Sequence, residues 1–212
     1  MINILLADDH PYLRRGLAQI LIDEFPGAVI GEASNVPEML EHAQKQRWDV
    51  VVLDLTMPGR GGLEGLHELK RLHPSLPVLV LSMHPEDQFA VRVLRAGGSG
   101  YLTKESAPQE LVHAIKAIWK GGKYITPKAA DLLAAHLQQH GDSEQPLHSS
   151  LSDREYQVFG LIAAGRTITD ISEQLALSVK TISTYRSRIL AKLNLKTNAD
   201  LARYAIQHCL VE

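Results

Sequence analysis

Cysteine is almost absent from this 212-residue chain: Cys209 is the only one. A single thiol excludes an intramolecular disulfide framework and a Cys-rich zinc site, and it fits a reducing cytoplasm. Long apolar runs are missing too. Stretches such as Ile4–Ala7 and Val50–Leu53 fall far short of the roughly 20 residues of a membrane helix, so no membrane association is expected. Met1 leads straight into a strand-like run with no basic stretch before it, so no signal peptide is expected. Net charge is close to nil, with Lys+Arg 22 against Asp+Glu 24. Hydrophobic residues at 45% and charged residues at 22% are ordinary globular proportions, which excludes a wholly disordered chain. The length fits one large domain or two ordinary ones.

What is present falls into two patterns. Ile2–Ala7, Ala28–Ala33, Val50–Leu53, Val78–Leu81 and Ser99–Thr103 are short, mostly apolar runs rich in β-branched residues. Runs without period-2 alternation suit strands buried on both faces. Helical segments of roughly 10–14 residues lie between them by the spacing of their apolar positions. Leu13, Leu17, Ile20 and Leu21 line the first; Leu111, Ala114, Ile115 and Ile118 line the last. Repeated β-α units imply an α/β fold: a doubly wound, five-stranded parallel sheet with helices on both faces.

The composition then shifts. Gly121-Gly122 ends the last of these helices, and Thr126-Pro127 reads as an N-cap with proline at the first helical position. The short Ala/Leu helix it opens is expected to run to about Gln139. Residues 140–150 are polar and contain proline, which reads as a flexible linker. Beyond it the pattern is all helical, over about 152–164, 167–175, 178–193 and 197–208. Ser152-x-x-Glu155 is a capping box, Thr167-x-x-Asp170 and Thr197-x-x-Asp200 are its acid-bearing versions, and Ser178 is a further cap.

Five polar residues stand at the expected C-terminal ends of strands. Asp8 and Asp9 follow the first, Asp54 ends the third, Ser82 ends the fourth, and Lys104 follows the fifth. In an open α/β sheet those ends share one edge, where ligands bind. Carboxylates gathered there repel unless a cation joins them, and a hard ion with oxygen ligands, Mg²⁺, answers that need. Lys104 and the Ser82 hydroxyl would then suit phosphoryl oxygens. An aspartate can itself accept a phosphoryl group as an acyl phosphate. Taken singly, each residue could be a turn, cap or solvated charge; together at strand ends they point to a site.

The strings LLADDHPYLRRGL, VVLDLTMPG, VLSMH and GYLTKESAPQEL resemble a response-regulator receiver domain over residues 1–120, and the whole chain resembles the NarL/FixJ family. The resemblance implies that Asp54 is the phosphoacceptor and that Asp8 and Asp9 hold Mg²⁺, with Asp54 and the backbone carbonyl of Thr56 completing the set. It makes Ser82 the hydroxyl switch, Tyr101 the aromatic switch and Lys104 the phosphate-binding lysine. Gly61 departs from the family pattern, which often has Asp or Asn there. Trp48 and Trp119 are expected to be packing residues, Cys209 a small core residue, and the histidines surface or packing groups without metal-ligand spacing.

Residues 178–196 carry Lys180, Arg186, Arg188, Lys192 and Lys196 and no acid. Projected at about 100° per residue, Ile182, Tyr185, Ile189, Leu190 and Leu193 share one side of the helix. Lys180, Thr184, Ser187, Arg188 and Ala191 fall opposite, with Ser183 and Lys192 on the flanks. A free face that is basic and hydroxyl-bearing, after a short turn through Leu177, is the helix-turn-helix arrangement. Lysine and arginine would meet phosphates, while Ser and Thr can touch phosphates or base edges. A solvated charged face would share the charge pattern. The string from LSDREYQVF to ARYAI resembles the LuxR-type four-helix DNA-binding domain, which implies DNA contacts by Lys180, Ser183, Thr184, Ser187, Arg188 and Lys192. Arg186 projects into the apolar stripe, where it either snorkels to a phosphate or pairs with an acid on a neighbouring helix.

The combined expectation is a cytoplasmic two-domain transcription factor: a receiver over 1–120, a linker with a short helix over 121–150 and a DNA-binding domain over 151–212. Its expected partners are a sensor histidine kinase, double-stranded promoter DNA and a second copy of itself when phosphorylated, with RNA polymerase a further candidate. Enzymatic turnover is not expected. The rivals are an Mg²⁺-dependent phosphohydrolase of the haloacid-dehalogenase type and a module that acts only through protein contacts. The first would place its nucleophile in D-x-D after the first strand, where Asp8-Asp9 stands instead.

Overall fold

The computed structural model describes residues 1–57, 61–83, 86–138, 147–175, 177–208 and 210. These form two compact units, Met1–Ala135 and His136–Glu212.

The first unit is built on β1 (Asn3–Ala7), β2 (Val29–Ala33), β3 (Val50–Asp54), β4 (Val78–Ser82) and β5 (Gly100–Thr103). They form one parallel sheet in the order β2-β1-β3-β4-β5. All five residues of β3 and of β4 are buried, as the unbroken apolar runs require of strands covered on both faces. The crossovers are α1 (Pro11–Glu24), α2 (Val36–Lys45), α3 (Gly62–Leu72), α4 (Glu86–Arg95) and α5 (Ala107–Trp119). α1 and α5 pack together on one face, where Leu17, Leu21, Leu111, Ala114, Ile115 and Ile118 meet the inward residues of β1, β3, β4 and β5. α2 and α3 pack against each other as a separate pair. The order places β1 beside β3 at the point where the winding reverses, the position at which such sheets bind ligands.

α5 stops at Lys120 and Gly121, whose positive φ of 86° suits glycine. The chain then does something that its composition does not announce. Tyr124 forms a parallel bridge with Gly100 and donates its amide to Ser99 O, so the segment after α5 runs along β5. Its side chains fasten it: Tyr124 Oη donates to Glu110 Oε2 at 2.8 Å and Thr126 Oγ1 to Glu86 Oε2 at 2.5 Å. Thr126 Oγ1 also accepts the Ala129 amide, capping α6 (Pro127–Gln138) as the Thr-Pro pair foretells. Residue 139, the expected end of this helix, and residues 140–146 of the expected linker lie outside the described residues, as does Cys209. Residues Leu147–Ser150, at the end of the expected linker, form a 3₁₀ turn. Trp48 is buried, but Trp119 is 44% exposed and not the packing residue expected of it.

The second unit contains α7 (Asp153–Ala163), α8 (Ile168–Gln174), α9 (Val179–Lys192) and α10 (Asn198–Gln207). All three capping boxes close in both directions, at Ser152/Glu155, Thr167/Asp170 and Thr197/Asp200, and Ser178 caps α9 through the Thr181 amide. α9 packs on α7, α8 and the 3₁₀ turn.

Burial, with the hydrogen bond to Glu110, pushes the Tyr124 phenol up to about 12. An unfolded phenol ionises near 10. The folded state therefore holds the proton more tightly, and this contribution to stability is complete below about pH 10 and lost as pH rises toward about 12. Ultraviolet titration of tyrosinate should lose one late phenol in Tyr124→Phe, while Tyr204, also pushed up by burial, stays late.

Candidate functional site: a carboxylate cluster and a basic helix

Adjacent strands bring the carboxylates together. Asp8 and Asp9 leave the end of β1, and Asp54 is the last residue of β3. Asp8 is fixed by its own turn: Asp8 Oδ1 accepts the His10 amide at 2.8 Å, and Arg14 donates to Asp8 O at 2.6 Å while pairing with Glu32. Asp54 Oδ1 accepts both the amide and the hydroxyl of Thr56, at 3.0 and 2.8 Å. The loop past Asp54 closes tightly because Gly62 lies against it. A Cβ at that position would stand 2.2 Å from Asp54 O and 2.5 Å from Leu55 Cα.

Lys104 reaches in from the end of β5. Its ammonium is 2.8 Å from Asp54 Oδ2 and 2.9 Å from Asp8 Oδ2, with only 7% of the residue exposed. Burial alone would push this ammonium down; Asp54 and then Asp8 outweigh that and hold it above the usual lysine value. Asp9 is less buried. Burial pushes its carboxyl up, Asp54 and Asp8 add to the rise, and His10 opposes it. Ser82, fully buried, ends β4 on the same sheet edge, where its carbonyl accepts the Lys104 amide. Tyr101 sits three residues before Lys104, on β5, and is buried. The loop residues Pro58 and Gly59 and the histidine of VLSMH lie outside the described residues.

The sequence reading missed two contributors. His10 was grouped with surface histidines, yet its Nδ1 is 2.8 Å from Asp9 Oδ1 and 3.3 Å from Asp8 Oδ1. Thr56 is expected to contribute its carbonyl, while its amide and hydroxyl hold the Asp54 carboxylate. One ligand atom from each of Asp8, Asp9, His10 and Asp54 lies within 4.8 Å of the others. Asp9 Oδ1 is buried, with His10 Nδ1 beside it at 2.8 Å. Three carboxylates at one sheet edge around a single ammonium fit a divalent cation, which would supply further positive charge.

The second cluster lies on α9. Ile182, Ile189, Leu190 and Leu193 are buried, while Lys180, Thr184, Ser187, Arg188 and Ala191 are exposed, and Ser183 is half-buried on the flank. Lys180 and Arg188 have no ion-pair partner among the described residues. The Thr184 and Ser187 hydroxyls donate to Lys180 O and Ser183 O of their own helix at 2.9 and 3.0 Å, leaving their oxygens outward as acceptors. Lys192 departs from the expectation. Its ammonium donates to buried Glu155 at 2.6 Å and to Ser150 O at 3.1 Å, clamping the 3₁₀ turn onto α7 instead of standing free on the helix face. Burial would raise the Glu155 carboxyl, but Lys192 and Ser152 hold it below the usual range. Arg186 pairs with no acid among the described residues; its Nε donates to the amide oxygen of Asn198 at 2.6 Å, at the start of α10.

A parallel sheet with an acid-lysine pocket at its switch point, followed by a helix-turn-helix unit with a basic outer face, defines a two-part signalling protein. Residues 4–116 match the response regulator receiver domain, and residues 149–205 match the bacterial regulatory proteins of the luxR family. The chain belongs to the response regulators that join these two domains. Response regulator UvrY of Escherichia coli (strain K12) is 39% identical over 210 residues, spanning 99% of this chain and 96% of UvrY. Response regulator GacA of Pseudomonas aeruginosa is 38% identical over 212 residues, spanning 100% and 99%. Among solved structures, RcsB of Salmonella typhimurium aligns with a TM-score of 0.61 at 28% identity, covering 96% of this chain and 98% of RcsB. RcsB of Salmonella enterica serovar Typhimurium bound to promoter rprA with the phosphomimetic BeF3⁻ aligns equally well, with a TM-score of 0.61 at 29% identity and the same coverage. No described helix is long and apolar enough to cross a membrane.

Removing one member of a buried ion cluster leaves the others uncompensated. Lys104→Met should therefore destabilise the cation-free protein by about 3 kcal/mol in urea unfolding. The same substitution placed in Asp54→Asn should cost clearly less, because one of the two carboxylates that need it is gone.

Proposed function

We propose that Asp54 is the residue phosphorylated in this response regulator and that its phosphorylation controls promoter binding by α9. The observation that carries this is the Asp54 carboxylate. It is 1% exposed at the sheet's switch point, with one oxygen held by Thr56 and the other by Lys104. Both oxygens are oriented, and a cation is already poised beside them.

In this reading a sensor histidine kinase is the donor. An Asp54 oxygen forms the new bond to phosphorus, the phosphorus–nitrogen bond of the phosphohistidine breaks, and the freed imidazole nitrogen takes a proton. Asp8, Asp9, Asp54 and the Thr56 carbonyl would hold Mg²⁺, which would neutralise phosphoryl oxygens when bound. Lys104 turns from carboxylate to phosphoryl oxygen, and Ser82 and Tyr101 relay the change to β4 and β5. The segment at 124–126 is fastened to β5, α4 and α5, so it feels that change where the chain leaves the receiver. The receiver and DNA-binding boundaries at 120 and 151 belong to the same proposal.

On DNA, Lys180 and Arg188 meet phosphates, and Ser183, Thr184 and Ser187 lie nearest the base edges. With their hydrogens turned back onto the helix, Thr184 and Ser187 act as acceptors, which suits the amino groups of cytosine or adenine. Lys192 serves as a positioning residue through Glu155. Two half-sites need two protomers, so the phosphorylated form acts as a homodimer. RNA polymerase and a cytoplasmic location complete the reading.

Incubation with acetyl phosphate and Mg²⁺ should add one phosphoryl group to the wild type and none to Asp54→Asn. Equal labelling of the variant would overturn the assignment. On DNA, Arg188→Ala should weaken all sequences alike and flatten the slope of log K against log salt by about 0.9. Lys192→Met should instead lower the unfolding midpoint of the second unit, with the salt slope nearly unchanged.

A further inference from the structure

At the N-terminal edge of the receiver sheet an open groove of about 900 Å³ lies between the turn after α2, the turn after α3 and the end of α5. Its volume falls within the roughly 300–1,000 Å³ of ordinary ligand sites. Neither phosphoryl transfer to Asp54 nor DNA binding, as proposed above, makes use of it. Asp49 and Pro77 line the groove and immediately precede β3 and β4, whose far ends carry Asp54 and Ser82. The groove and the acid-lysine pocket therefore stand at opposite ends of the same strands.

The chain has only two tryptophans, and both line this groove. Trp48 is buried and its Nε1 donates to His42 O at 3.0 Å. Trp119 is the exposed one, and its indole nitrogen has no hydrogen-bond partner among the described residues. The polar lining is unevenly used. Lys45 pairs with Glu41, and Asp49 accepts the Asn3 amide at 2.8 Å. The Arg47 guanidinium has no ion-pair or hydrogen-bond partner among the described residues. His73 also lines the groove, and its Nε2 is buried without a hydrogen-bond partner. A nitrogen in that state lacks the partner that buried polar groups ordinarily have.

An exposed indole, a free guanidinium and an unsatisfied imidazole nitrogen are the complement of a flat ring that bears an acid group. The planar fork of arginine matches a carboxylate, and an indole face takes an aromatic ring. Lys45 and Arg47 against Asp49 leave one positive charge in excess, which matches a monoanion. We propose that this groove binds a small aromatic carboxylate, with the acid group at Arg47 and His73 and the ring against Trp119. The receiver thereby carries a second, small-molecule input at the edge remote from Asp54.

4-Fluorophenylacetate and 4-fluorobenzoate are the probes, read by ¹⁹F line broadening with the full chain at about 1 mM ligand. Both should bind, and both should change the tryptophan emission, because every tryptophan lines the groove. Arg47→Gln should weaken binding about tenfold, as should replacement of the acid by the amide in 4-fluorophenylacetamide. Trp119→Ser should weaken it about fivefold. Arg47 and Trp119 are both exposed, so circular dichroism should show each variant folded like the wild type. Retained affinity in Arg47→Gln, or equal binding of acid and amide, overturns the proposal. Unbroadened lines from both probes with the wild type overturn it as well.

Discussion

The ammonium group of Lys104 lets two carboxylates be buried side by side. Asp8 is 3% exposed and Asp54 is 1% exposed, and the Lys104 ammonium lies within 2.9 Å of both, so each buried carboxylate has a positive partner. The sheet order makes the arrangement possible. β1 and β3 are neighbours, so their terminal acids converge, and β5 brings the lysine to the same edge from fifty residues further along the chain. The pocket is held in an electrostatic state that an incoming phosphoryl group would redistribute, since it offers Lys104 a stronger partner than either carboxylate.

Much of this was legible in the sequence. Short β-branched runs without alternation, each followed by a helical period, dictate a parallel sheet, and polar residues at the ends of those runs must share an edge. The three capping boxes were equally readable because each is a local pattern of four residues. What could not be read were interactions set by three-dimensional proximity. Lys192 looks like a flanking cation of a basic face, and only the packing of α9 on α7 and the 3₁₀ turn delivers it to Glu155. Arg186 sits in an apolar stripe by helical projection, yet the start of α10 offers it an amide oxygen rather than an acid. His10 has no metal-ligand spacing to another histidine. Its pairing with Asp8 and Asp9 depends on the turn that follows β1. Trp119 looked like core by residue type, but it is the last residue of α5, beyond the stripe that faces the sheet.

The segment after α5 bears on how the receiver communicates. Composition marks residues 121–126 only as a break between helices. In the structure Tyr124 bridges to β5 through its backbone and to α5 through its phenol, and Thr126 binds the first residue of α4. β5 also carries Tyr101 and ends one residue before Lys104. A small displacement at the acid-lysine pocket therefore has a short covalent and hydrogen-bonded route to the helix that leads out of this unit. The two halves of the chain carry different charge arrangements: one places an ammonium and hydrogen-bond donors around a buried carboxylate, the other presents cations on an exposed helix.

The central claim is that chemistry at Asp54 changes DNA binding by the same chain. Its most direct test is the affinity of the full-length protein for a DNA site selected from random sequences, measured by fluorescence anisotropy with Mg²⁺, with and without beryllofluoride. Tighter binding with beryllofluoride, and no change in Asp54→Asn, is the result expected. Equal affinity with and without beryllofluoride in the wild type would contradict the account.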